Sequence, residues 1–140
     1  MSATSRLQAL VEAEHAAVYG YAVLGARLDD AGRRFARLAY DGHRVRRDQL
    51  LAALHGLGAD APVPLPAYDV AVADPVQAMA LAVRLEEGLS VCWRDLVAAT
   101  DARSLRALGV AGLQETAVRA AQWRLRAGTT PVTAALPGSA

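Results

Sequence analysis

The sequence contains no lysine, no isoleucine and no asparagine, and it has a single cysteine, Cys92. All 15 basic residues are therefore arginine. Together these absences point to the codon bias of a GC-rich bacterial genome rather than to a chemical requirement, so arginine-rich segments such as "HRVRRDQ" read as solvated helix faces before they read as phosphate sites. One cysteine excludes an internal disulfide and suits a reducing compartment. No segment approaches the roughly 18 consecutive apolar residues that span a bilayer. The opening "MSATSRLQAL" has no apolar run of signal-peptide length. These features lead to the expectation of a cytoplasmic protein with no membrane partner. A net charge of +1 argues against a chain built to hold nucleic acid or an acidic surface.

What is present is enough for one folded unit. The chain has 140 residues, 54% hydrophobic and 21% charged, which suits one domain with a real core. Four amphipathic stretches are expected to be helices: residues 5–28, 31–55, 75–99 and 101–126. Thr4 or Ser5 is the expected cap of the first, Asp29 or Asp30 of the second, Asp74 followed by Pro75 of the third, and Thr100 and Asp101 of the fourth. Gly56, Gly58 and Gly128 are stop signals. The first and second helices, and the third and fourth, are separated by only a few residues and should form antiparallel hairpins. Residues 57–74, with three prolines, are long enough to run the length of a bundle or to make a surface excursion. The fold expected is thus all-α, a four-helix bundle over residues 1–128, with an irregular tail over 129–140 that lies along it through Val132 and Leu136.

The informative residues are polar ones on apolar faces. At about 100° per residue, Leu7, Val11, Glu14, Val18, Tyr21 and Leu28 share a side, so Glu14 faces the core and Glu12 does not. The second helix turns Ala36, Ala39, Tyr40, His43, Leu50 and Leu54 inward, with Arg47 one turn beyond His43. In the third, Glu86 lies among Met79, Ala82, Val83, Leu89, Trp93 and Val97. In the fourth, Glu115 sits at the edge of a face with Leu108, Ala111, Val118 and Leu125. Each helix thus offers a polar group near its middle. Gathering buried carboxylates without a counter-charge costs several kcal/mol. A cation could gather Glu14, His43, Glu86 and Glu115, since oxygen and imidazole donors suit iron or manganese. Alternatively Tyr40, His43 and Arg47 satisfy the acids by hydrogen bonds and ion pairs.

Other candidates read as structural. His15 lies at the stripe's edge, as an interface or partly exposed group. His55 suits the carboxyl end of its helix. Trp93 and Trp123 are expected core or interface anchors, and "YGY" at 19–21 invites close approach of a neighbouring helix. Cys92 reads as a small core residue. No Ser-His-Asp order, glycine-rich phosphate loop or paired cysteine motif is present, so nothing points to nucleophilic catalysis. Leu81, Leu85, Cys92 and Leu96 give the third helix a second apolar stripe, from which a homodimer is expected.

The segments "EAEHAAVYGYAVLGARL", "AYDGHRVRRDQL", "LAVRLEEGLSVCWRDLVAAT" and "AALPG", in that order, resemble the ferritin-like superfamily and, within it, an actinobacterial ferritin-like domain family of unknown function. The resemblance implies two helix hairpins joined by a long crossover. It also implies a di-iron ligand pattern of Glu, Glu-x-x-His, Glu and Glu-x-x-His on successive helices. Glu14 and Glu86 match the lone acids. "YDGH" keeps His43 but has Tyr40 for the glutamate, and "ETAV" keeps Glu115 but has Val118 for the histidine. Four of six ligand positions survive, and Arg47 nearby would repel a dication. The expected function is a non-enzymatic binding or scaffolding module with a degenerate metal site, its small-ligand or protein partner unspecified and no cofactor required. The alternative is an iron- or manganese-binding redox protein using Glu14, His43, Glu86 and Glu115.

Overall fold

The computed structural model describes residues 1–139, which form four helices: α1 (Ala3–Gly25), α2 (Asp30–Gly56), α3 (Pro75–Ala98) and α4 (Arg103–Ala127). Local chemistry explains the ends. Ser2, upstream of the expected cap, accepts from the Ser5 amide at 3.1 Å. Asp29 caps α2 through the Gly32 amide at 2.7 Å. Asp74 caps α3 through Gln77, with Pro75 opening the helix. The fourth expected cap fails: Ala102 stands at the N-cap without a side-chain bond, because the Thr100 hydroxyl accepts from Ala102 itself. The first helix stops at Gly25, short of Leu28, in a turn closed by Arg27 and Leu28 amides bonding to Leu24 and Gly25.

The crossover runs along α1 from one end of the bundle to the other. Gln8 donates to the Asp60 carbonyl at 2.8 Å, His15 Nε2 lies 3.3 Å from the Pro62 carbonyl, and Tyr19 packs on Tyr68 with ring centroids 5.3 Å apart. Val72 then packs into the apolar cluster that holds Leu24 and Leu28. The chain therefore goes up in α1, down in α2, up through the crossover, down in α3 and up in α4. Helices α1 and α2 are antiparallel, as are α3 and α4, whereas α2 and α3 run parallel. The longer of the two sequence readings of residues 57–74 holds.

Two apolar clusters fill the interior. One joins Leu7, Leu10, Leu50, Leu54, Trp93 and Leu96 at the lower end. The other joins Tyr21, Leu24, Ala36, Ala39, Ala78 and Trp123 at the upper end. Between them lie the fully buried Glu14, His43 and Glu86, with Ser90 and Thr116 beside them. Both tryptophans are core residues. Close packing of α4 on α3 depends on Gly112, where a Cβ would sit 2.3 Å from the Trp93 ring.

The second apolar stripe of α3 is used within the chain. Leu85 fills the notch at Gly20, and Cys92 packs against the lower cluster. The tail is irregular, but it is held by its backbone rather than by Leu136, which is 72% exposed. Arg124 donates to the Val132 carbonyl and Arg94 to that of Gly138. Gly138 has φ +83°, and a Cβ there would meet the Ser90 carbonyl oxygen at 2.8 Å, so only glycine seats the tail.

Candidate functional site

Glu14, His43 and Glu86 come together at the centre of the bundle, because each is the single long polar residue on an otherwise apolar helix face. His43 Nδ1 is 2.7 Å from Glu14 Oε2, and its Nε2 is 2.8 Å from Glu86 Oε1. The imidazole thus bridges two carboxylates from different helices. Tyr21 donates its hydroxyl to the same Glu86 oxygen at 2.6 Å, and the Trp123 indole N–H donates to the Tyr21 oxygen at 2.9 Å. The Tyr21 ring stacks on the imidazole with centroids 5.2 Å apart. Below this chain, Ser90 and Thr116 hydroxyls meet at 2.8 Å, and Ser90 also donates to the Glu86 carbonyl.

The electrostatics follow from burial and pairing. Burial alone pulls the His43 pKa down, but hydrogen bonds to Glu14 and Glu86, reinforced by their charges, outweigh it and push the ring up to about 9. With Glu14 and Glu86 ionised, both ring nitrogens carry a proton and donate to them. Burial raises the Glu14 pKa above its ordinary value, against the opposing pull of His43. Tyr21 is pushed well above 10.0, first by burial and then by Glu86, so it stays a neutral donor.

Three of the expected participants stand elsewhere. Glu115 is partly exposed and pairs with Arg46 Nε at 2.7 Å, on the α2–α4 side of the bundle. The phase of α4 differs from that expected: Gly109, Gly112, Thr116, Ala120 and Trp123 face inward, and Val118 is 57% exposed. Tyr40 is half-buried, flanked by the Arg37 and Arg44 guanidinium groups at 5.8 and 5.7 Å from its ring centre. Arg47 turns to Asp48, at 2.9 Å, and does not meet the buried acids.

The cation that does approach is Arg119. Its side chain is only 12% exposed, lies 3.8 Å from Glu115 Oε1, and sits over Gly42, where a Cβ would meet Nη2 at 2.3 Å. Its charge lowers the pKa of Glu14. The missing side chain in "DGH", immediately before His43, was the available sequence signal for this insertion. Tyr21 was placed on the correct face, but its bond to Glu86 spans 65 residues and left no local mark.

The donor set does not fit the di-metal centre that the ferritin-like pattern implies. His43 has no free ring nitrogen to offer, and Tyr40, Glu115 and Val118 are turned away from the cluster. No group of three or more His, Cys, Asp or Glu side chains arranged to hold a metal occurs among the described residues.

Over residues 6–140 the sequence matches the family described as Domain of unknown function (DUF4439). The chain belongs to this family. It is also similar to a conserved hypothetical protein, rv2844, from Mycobacterium tuberculosis. That crystal structure superposes with a TM-score of 0.87, at 31% identity over 96% of each chain. No curated protein matches the chain. This DUF4439 chain therefore has a shared fold, and its chemistry has to be read from its own residues.

Proposed function

We propose that this DUF4439 protein is a ferritin-like bundle in which a protonated histidine takes the place of the metal, and that it works as a non-enzymatic binding or scaffolding module. The up-down-down-up order with its long α2–α3 crossover supports the ferritin-like relationship. The observation that carries the functional reading is the double engagement of His43 by Glu14 and Glu86. A cationic ring between two carboxylates does electrostatically what a metal ion would do, and Arg119 supplies a second positive charge nearby. With His43 protonated, its charge offsets one of the two carboxylates, and Arg119, which also pairs with Glu115, adds positive potential at the other. Such a layer fixes the register of the four helices and leaves no open coordination position for oxygen or substrate.

A second reading, iron or manganese binding, draws on one feature. Glu14 Oε1 and Glu86 Oε2 are buried without a hydrogen-bond partner, and such atoms attract a cation or a water. The test is metal content by inductively coupled plasma mass spectrometry, after anaerobic loading with Fe(II) or Mn(II) and desalting. Nitrogen-15 NMR of His43 would accompany it. The expected result is far less than one metal per chain, with both ring nitrogens protonated at pH 7. Near-stoichiometric metal that disappears in Glu14→Ala and Glu86→Ala variants would overturn the proposal in favour of the redox reading.

A further inference from the structure

Outside the polar layer, the structure holds a half-open cavity of about 730 Å³ between α3, α4 and the returning tail. This volume falls in the range of sites for a single small molecule. Its floor is formed by small residues: a Cβ on Gly88 would meet nothing within 4 Å, and Ala117 and Ala121 face it from α4. Its walls are apolar. Val118 and Leu136 both line it while being 57% and 72% exposed. Among the described residues, the charges around it are not balanced. Arg124 is committed to Glu87 and to the Val132 carbonyl. Arg84, one turn from Gly88 on the same face, has no ion pair or hydrogen bond among the described residues.

We propose that this cavity binds a small amphipathic monoanion, its apolar body lying along the Gly88 trough and its carboxylate paired with Arg84. The proposal deepens the binding-module reading and rests on it only for the absence of catalysis. The cavity is built for such a ligand in three respects. Glu87 already neutralises Arg124, which leaves one cation for one anion among the described residues. The tail that forms the third wall is fixed by two arginine–carbonyl bonds and by Gly138, so the site is preformed. The exposed Val118 and Leu136 gain cover only when the space between them is filled.

The probe is sodium decanoate, titrated into the full chain by calorimetry and by NMR of the α3 amides, with octanoate and decanol as controls. Saturable one-to-one binding is expected. Octanoate should bind roughly tenfold more weakly for the loss of two buried methylenes. Decanol should bind about threefold to fivefold more weakly, the worth of an exposed charge pair. Arg84→Gln should reduce decanoate binding to the level of decanol and leave decanol itself unchanged. Gly88→Leu, which fills the trough without touching the core, should weaken both ligands at least roughly tenfold. The proposal is overturned by the absence of saturation up to about 1 mM, by equal binding of octanoate and decanoate, or by decanoate binding that persists in Gly88→Leu. None of these results bears on metal content, so failure here is separable from failure of the metal-free reading.

Discussion

Raising the pH should weaken the fold through His43. The ring titrates near 6.5 when unfolded and at about 9 in the bundle, so between these values the folded chain holds a proton that the unfolded chain has released. Stability changes with pH as the protons bound by the unfolded state minus those bound by the native state. That difference is negative here, so stability falls as pH rises. The contribution is fully present below 6.5 and lost on passing 9, and its size is about 3 kcal/mol. Burial of Glu14 acts in the same direction, because its folded pKa is raised from 4.5. Cys92 and Tyr21 are also raised, but from 9.0 and 10.0, so they act only above the His43 window. The measurement is urea unfolding followed by circular dichroism from pH 6 to 9.5, with a constant denaturant slope as the check on two-state behaviour. In the Glu14→Gln/Glu86→Gln variant the opposing carboxylates are gone, and burial alone acts on the ring and lowers its pKa. The fall between pH 6.5 and 9 should disappear, and stability should instead rise with pH below 6.5. A wild-type profile that is flat or rising between pH 7 and 9, or a double variant that keeps the fall, would refute the imidazolium bridge.

Tyr21→Phe removes a donor to Glu86 and the acceptor of the Trp123 indole; urea unfolding should show a loss of about 2 kcal/mol, typical for stranding buried polar groups. Gly112→Ala drives a methyl group into the Trp93 ring and should cost about 3 kcal/mol or more, lowering the thermal midpoint. Gly88→Ala, where the new methyl meets nothing, should raise stability by up to about 1 kcal/mol. Glu115→Ala breaks the partly exposed pairs with Arg46 and Arg119. It should cost no more than about 1 kcal/mol and leave both His43 ring nitrogens protonated at pH 7, which separates these outer pairs from the buried bridge.

The first three helices were legible because their faces are written in large apolar residues, against which a single acid or histidine stands out. Glu14, His43 and Glu86 were each found by that contrast. The fourth helix carries the opposite pattern. Its buried face is glycine, threonine and alanine as far as Trp123, while Val118 and Leu125 point to solvent at 57% and 69% exposure. Hydrophobicity then selects the wrong side, because close approach to Trp93 demands small residues there. The phase slips by one residue, so the positions turned inward are Thr116 and Arg119 rather than Glu115 and Val118. Arg47 fails for a related reason. It lies only about 40° around the helix from His43, but its long side chain finds Asp48 first. Arg119 comes close enough for its charge to act on Glu14 because Gly42 leaves a gap in the facing helix. The cation expected one turn after His43 thus comes from a different helix, placed by a side chain that is absent.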